Sequence, residues 1–377
     1  MRKETMCVHS GSYRDPNTRG INTPIFTSSA FEYLDLEERP YPRYFNTPNQ
    51  EVVVRKLCDL ENAEDGVLFS SGMAAITTTI LSFLKQGDHI ILQDELYGGT
   101  HAFVSGQFER IGVDYTFVPT DTEKIAEAVR NNTRLIFIET PTNPLLSIID
   151  IREAALIGKK NGITTAIDNT FASPINQNPL ELGIDIVLHS GTKYLGGHSD
   201  ICCGAVLANR ALAGRIKAQA THFGGSLNAT TCCLLERSLK TLNLRVERQT
   251  QNAGKIAEFL DQHALIKQVY YPGLSTHPGH DTALSQMKGF GAMLSFELSH
   301  DAQDAYTFMK RMKLIRPALS LGGIESSICS PATTSHQKIS RKDRERIGIT
   351  DSLLRLSVGI EHVDDTIYDI EQAMSAG

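Results

Sequence analysis

Between Glu51 and Leu207, short apolar runs alternate with stretches whose hydrophobic positions recur every three to four residues. Val52, Val53, Leu57 and Leu60 predict a helix, Val67-Leu68-Phe69 a short strand, and Ala74 to Leu84 an apolar helix entered through Ser70-Ser71-Gly72. The alternation continues with strands at 89–92, 113–118 and 135–138 and helices at 102–111, 123–130 and 151–160. Two further strands end at Asp168 and His189. Strands separated by helices of about three turns predict an α/β fold, a mostly parallel sheet with helices on both faces. Ligands of such sheets bind outside the carboxyl ends of the strands.

The texture changes after Gly204-Ala205-Val206-Leu207. Residues 229–263 are helix-compatible almost throughout, with Arg237, Lys240, Arg245, Glu247 and Arg248 marking wet faces, and predict one long helix, with room for a kink, joining two units. An α+β unit follows, with strands at 292–298 and 354–358 and helices at 302–312 and 363–374. Lys338 to Arg346 mixes Lys and Arg with Asp343 and Glu345 and reads as a solvated face. Ahead of the regular region, residues 1–50 carry Asp15-Pro16-Asn17, Thr23-Pro24 and Arg39-Pro40-Tyr41-Pro42. Proline at that density disfavours helices and strand ladders, so an extended arm lying on another subunit is expected. The expected division is the arm, 1–50, an α/β domain, 51–240, and a C-terminal α+β domain, 241–377.

Composition mainly excludes. The formal charge is −6 with no basic stripe, which argues against a nucleic-acid partner. No apolar run reaches transmembrane length and no apolar leader follows Met1-Arg2-Lys3-Glu4, so a cytoplasmic protein with no membrane partner is expected. The seven cysteines include the adjacent pairs Cys202-Cys203 and Cys232-Cys233 but no C-x-x-C spacing; buried free thiols are expected and a metal site is not.

Chemistry concentrates where the predicted strands end. In Ser190-Gly191-Thr192-Lys193-Tyr194-Leu195-Gly196-Gly197, a lysine sits beside two hydroxyls and a glycine pair. A partly desolvated amine there is a usable nucleophile or Schiff-base former, and the hydroxyls suit a phosphate's oxygens; the same tetrapeptide is also ordinary loop chemistry. Asp168 ends another β-branched run 25 residues earlier, about one crossover away. Lysine and carboxylate at neighbouring strand ends form the pair that pyridoxal phosphate needs, the acid keeping the ring nitrogen protonated; a helix or turn cap is the competing reading of Asp168.

These residues, with Ser70-Ser71-Gly72-Met73-Ala74-Ala75-Ile76, Tyr97-Gly98-Gly99-Thr100 and Glu139-Thr140-Pro141-Thr142-Asn143-Pro144, resemble the Cys/Met-metabolism family of pyridoxal-phosphate enzymes. The resemblance runs from Val8-His9-Ser10-Gly11 to Leu354-Arg355-Leu356-Ser357-Val358-Gly359-Ile360-Glu361. It implies fold type I, pyridoxal 5'-phosphate as cofactor, a small sulfur amino acid as substrate, and a homo-oligomer, a dimer of dimers, completing each site. It implies Lys193 as the Schiff-base lysine and base, Asp168 on the ring nitrogen, and the Gly72 and Met73 amides with Ser190 and Thr192 on the phosphate. Tyr97 stacks on the ring, Asn143 contacts its phenolic oxygen, Ser320 lies beside the lysine, and Arg355 takes the substrate carboxylate. Without the resemblance, Gly72, Tyr97 and Asn143 read as loop, rim and turn residues, and Arg355 as one half of a salt bridge.

Tyr41 and Arg43 match a Tyr-x-Arg that reaches the neighbouring subunit's site, the arginine for phosphate and the tyrosine for proton transfer. The family continues with Gly-Asn-Pro-Thr, whereas this chain has Phe45-Asn46-Thr47-Pro48, which leaves the loop's geometry open. The implied activity is a carbon–sulfur lyase acting at Cβ or Cγ of cystathionine or a related thioether such as methionine. The alternatives are a γ-replacement transferase (cystathionine γ-synthase or O-acylhomoserine sulfhydrylase) and, more remotely, a non-catalytic phosphate-ligand binder. Leu319, where an acid in the family could pair with cystathionine's distal ammonium, favours a short thioether, whereas Gly99 follows the pattern of the cystathionine enzymes.

Overall fold

The computed structural model describes residues 1–299, 304–334, 337 and 341–375. Seven strands form the larger sheet: β1 (Asp65–Phe69), β2 (His89–Gln93), β3 (Asp114–Val118), β4 (Thr133–Glu139), β5 (Thr164–Asp168), β6 (Ile186–Ser190) and β7 (Gly204–Ala208). Their order is β1-β7-β6-β5-β4-β2-β3, parallel from β6 through β3, with β7 antiparallel to both of its neighbours. This is the predicted α/β architecture.

Its layers follow from side chains alternating across each strand. Leu135 and Phe137 face a cluster with Ile76, Phe83, Val104 and Phe108, beneath the helices Gly72–Phe83 and Gly98–Ile111. Ile136 and Ile138 face the opposite cluster with Ile151, Ala154 and Ile157 of the Ile151–Asn161 helix. Buried on both faces, the inner strands β4, β5 and β6 carry apolar runs and place polar residues at their ends, unlike the partly exposed edge strand β3. Glu139, Asp168 and Ser190 close β4, β5 and β6 along one edge.

The smaller sheet comprises β8 (Ile266–Tyr270), β9 (Met293–Leu298), β10 (Arg316–Pro317), β11 (Ser327–Cys329) and β12 (Leu353–Ser357) in the order β10-β11-β12-β9-β8. It packs on the helices Ala305–Arg311 and Val363–Ser375. The first residues of the helix expected at 302–312 lie outside the described residues.

Four expectations need correction. The helix expected over 229–263 is two, Ala229–Leu239 and Leu242–Asp261, parted at Lys240 and Thr241. Arg245, expected on a wet face, is buried (5% exposed), because the carbonyls it faces satisfy it as water would. The arm is not wholly extended: Lys3–His9 is a helix that buries Cys7 and packs on the Pro48–Glu61 helix. Of the charged run expected to be solvated, residues 338–340 lie outside the described residues, and Arg344 is buried and paired with Asp351 at 2.9 Å.

The altered loop has a local explanation. Phe45 takes a left-handed φ of 58° and buries its ring against Phe69, and Pro48 opens the following helix at its first position. The Thr47 N–H donates to Gln50 Oε1 at 3.0 Å, satisfying one group at that helix start.

Candidate active site

The strand ends of the larger sheet and three segments of the smaller unit, at 319–321, Thr334 and Arg355, line a cavity of about 440 Å³. Gly72, Met73, Tyr97, Asn143, Asp168, Ser190, Thr192, Lys193, Leu319, Ser320 and Arg355 all line it. Tyr41 and Arg43 do not. Both are exposed in the single chain, and Arg43 Nη1 donates to Thr221 O at 2.6 Å.

One end of the cavity is an anion site by construction. The Gly72–Phe83 helix begins there; Ser71 Oγ accepts the Ala74 N–H at 3.1 Å, and the amides of Gly72 and Met73 have no carbonyl available within the helix. Gly72 is required by contact: a Cβ at this position would stand 2.8 Å from the Ser190 Cβ, so only glycine lets the helix start approach the end of β6. The Thr192 hydroxyl is already engaged with the Cys203 backbone, at 3.3 Å to its carbonyl and 3.1 Å from its N–H.

On the floor of the cavity, Asp168 Oδ1 accepts from Thr170 Oγ1 (2.5 Å) and Thr170 N (3.0 Å), and Thr170 Oγ1 in turn accepts the Ser190 N–H at 2.8 Å. Asp168 therefore closes the turn after β5, as its competing reading foresaw, while its carboxyl still faces the cavity. Burial raises its pKa against the Thr170 bonds and the positive field of His189 and Lys193. Glu139, its register partner on β4, is held well above the usual carboxylate range by burial and by Asp168 itself.

The Lys193 amine donates to Ser320 Oγ at 2.7 Å, and burial first, then the Arg355 charge, lowers its pKa. Ser320 holds φ at 82°, a backbone strain of the kind that persists where surrounding structure fixes a functional group. Arg355, only 6% exposed, donates to Asn143 Oδ1 (2.7 Å) and Ser320 O (3.4 Å). Both partners are neutral oxygens, so its charge faces the cavity uncompensated, unlike in the salt-bridge reading. Tyr97, 44% exposed, forms a side wall, and Glu139 Oε2 accepts its backbone N–H at 2.8 Å.

Glu139, Thr170 and Cys202 line the cavity without having been singled out as site residues. Thr170 carried a signal, a hydroxyl two residues after a strand-end Asp, the spacing of a local side-chain turn. All seven cysteines are free, as expected, but Cys202 is exposed and Cys233 half-buried, which corrects the expectation of uniform burial. The described residues hold no cluster of metal-ligating side chains and no helix long and apolar enough to cross a membrane.

An anion seat, a carboxyl floor, an amine between them and an aromatic wall fit pyridoxal phosphate. The chain belongs to the Cys/Met metabolism PLP-dependent enzyme family, whose family model matches residues 4–375, and its cofactor is pyridoxal phosphate. It is 44% identical over 379 residues to cystathionine gamma-lyase of Bacillus subtilis, with 99% of each chain covered. It is 43% identical over 375 residues to cystathionine beta-lyase MetC of the same organism, covering 98% of this chain and 96% of the relative. The structure of cystathionine gamma-lyase from Lactobacillus plantarum complexed with L-serine superposes with a TM-score of 0.96 at 39% identity, covering 100% of this chain and 99% of the other.

Proposed function

We propose that the protein is a pyridoxal-phosphate-dependent carbon–sulfur lyase of sulfur amino-acid metabolism. It would eliminate at Cβ or Cγ of cystathionine or a related thioether, releasing oxo acid, ammonia and thiol. The observation that carries the reading is Arg355 in the same cavity as the Lys193 amine, a buried cation with neutral partners that is ready for a substrate carboxylate.

Pyridoxal phosphate supplies, when bound, an aldehyde carbon open to amines and a ring that accepts electrons. The Gly72 and Met73 amides with Ser190 would hold its phosphate, joined by Thr192 if its bond to Cys203 is released. Asp168 would keep a proton on the ring nitrogen, Tyr97 would cover one ring face, and Asn143 would reach the phenolic oxygen. Lys193 would tether the cofactor, and its amine, released when substrate binds, would take the proton from Cα. For a leaving group on Cγ the same amine would take a second proton from Cβ. A lowered pKa keeps that amine neutral more of the time, and Ser320 Oγ fixes its direction.

The assembly belongs to the same proposal. The arm, 1–50, would carry Tyr41 and Arg43 to the site formed by a neighbour's 51–240 and 241–377 domains, in a dimer or a dimer of dimers. Both side chains stand exposed and away from their own cavity, which supports this. We also take the protein to be cytoplasmic, where seven free thiols stay reduced.

The γ-replacement alternative requires an acylated homoserine and a thiol together. Purified holoenzyme offered cystathionine, methionine, cysteine and acylhomoserines separately, with oxo acid and thiol measured, decides. Oxo acid from a thioether alone is expected. Turnover only when an acylhomoserine and a thiol are both present would replace the lyase reading with the transferase.

A further inference from the structure

Three of the buried polar side chains on the Leu242–Asp261 helix, Arg245, Gln249 and Asn252, are spaced four and three residues apart and so share one face. Each donates to backbone carbonyls of other segments, and Arg245 Nε also donates to the Thr241 hydroxyl at 3.2 Å. Arg245 Nη1 donates to Tyr194 O at 2.8 Å, and Nη2 donates to Leu195 O at 3.4 Å and Ser238 O at 3.0 Å. Gln249 Nε2 donates to Gly323 O at 2.7 Å and Val358 O at 3.1 Å, while its Oε1 is buried with no partner among the described residues. Asn252 Nδ2 donates to Gly359 O at 3.1 Å and Glu361 O at 2.9 Å.

Two of those grips fall on the segments that carry the Lys193 amine and the Ser320 hydroxyl. These segments lie backbone against backbone. A Cβ on Gly322 (φ 76°) would stand 2.8 Å from Tyr194 N and 3.0 Å from Lys193 C, and Ile324 N donates to Gly197 O at 2.9 Å. Gly197 in turn makes room for the guanidinium, since a Cβ there would stand 1.8 Å from Arg245 Nη1. Moving either grip turns one segment against the other, and with it the direction of the 2.7 Å Lys193–Ser320 contact.

We propose that Arg245 and Gln249 are positioning residues for the reaction: together they set the Lys193 amine against Ser320 across the two sheets. Arg245 acts by geometry. It does not line the cavity, and its Nε, Nη1 and Nη2 donate to carbonyls and the Thr241 hydroxyl. A misplacement of about 1 Å at a reacting group costs roughly 100-fold in rate, which is the scale such a pair can govern. Asn252 is the internal control. It has the same face, burial and bond type, but its carbonyls, on Gly359 and Glu361, belong to a stretch that meets the Ser320 segment only at its far end, through Ile324 and Ser326, and none of the Lys193 segment.

The inference rests on Lys193 tethering the cofactor, and that reading fails separately, by a reductive label found on another lysine of the wild type. Its own test compares Gln249→Met, Arg245→Lys and Asn252→Ser as holoenzymes. For each, the melting temperature, kcat, KM and the pH at which the visible absorption of the bound cofactor changes are measured. Gln249→Met and Arg245→Lys are expected to lower kcat tenfold or more, to leave KM within about threefold, and to displace the absorption midpoint. Asn252→Ser is expected to lose melting temperature with the midpoint unmoved. Arg245→Lys keeps a cation and carries the test should Gln249→Met not yield folded holoenzyme. If all the folded variants lose melting temperature alike while midpoint and kcat stay at the wild-type values, the face is scaffold and the proposal is wrong.

Discussion

Arg355 and Arg245 are both buried, at 6% and 5% exposed, and both donate to neutral oxygens, yet they sit in opposite circumstances. Arg355 lines the cavity with charge to spare, whereas Arg245 lies behind it with its donors spread over three carbonyls and a hydroxyl. Burial pulls the Arg245 guanidinium down to about 10, so it remains charged at neutral pH with no carboxylate among those partners. A buried guanidinium is costly unless its surroundings solvate it. Backbone carbonyls supply that solvation at Arg245; at Arg355 part of it is left for an anion to supply. The same side chain would thus brace the site from behind in one place and receive an anion in the other.

Substitution separates the two. Arg355→Leu is expected to lower kcat/KM for any amino-acid substrate by roughly 100- to 1,000-fold, about 3–4 kcal/mol, with the melting temperature little changed. Arg245→Leu is expected to destabilise the fold by about 3 kcal/mol, because several buried carbonyls lose their donors at once, and denaturant unfolding would read it. If Arg355→Leu cost stability and spared turnover, the comparison would be reversed.

A pH experiment sharpens the Arg355 side. The ammonium form of Lys193 is disfavoured by burial and by the charge of Arg355. Removing that charge makes the ammonium easier to form, so the amine's pKa rises and less free amine is present at a given pH. The pH profile for labelling Lys193 in the apoenzyme with an amine-specific reagent should therefore move to higher pH in Arg355→Leu. A profile that stays in place or moves down would mean the two side chains do not sense each other.

The smallest effect lies at the rim. Leu319 is 72% exposed and lines the cavity, where it can meet the far end of a substrate. Leu319→Glu should raise the cystathionine-to-methionine ratio of kcat/KM about tenfold, if the new pair contributes about 1.4 kcal/mol in the transition state. An unchanged ratio would place the distal ammonium elsewhere.

The same contrast explains what the sequence disclosed. Strands buried on both faces must be apolar throughout, so β4, β5 and β6 stand out as runs and their terminal polar residues, Asp168 and Ser190, stand out with them. Motif resemblance then located Lys193, Asn143 and Arg355, and the cavity gathers them. Arg245 was misread because a charged residue on a helix defaults to solvent, and nothing local reveals that carbonyls from residues 194, 195 and 238 will solvate it. The break at Lys240 and Thr241 was likewise hidden, since neither residue forbids helix. Glu139 escaped because its meaning depends on register with Asp168, a relation between strands rather than along one. The proposed completion of the site by Tyr41 and Arg43 would depend on a second chain and is legible only through the resemblance.

Every role proposed for the site depends on Lys193 carrying the cofactor. Borohydride reduction of the yellow holoenzyme, followed by peptide mass mapping, tests this directly. The pyridoxyl group is expected on Lys193, and Lys193→Ala, still able to hold phosphate through the Gly72 helix start and Ser190, should show no covalent label and no elimination. A label on any other lysine, or a protein that stays colourless with added pyridoxal phosphate, would contradict it.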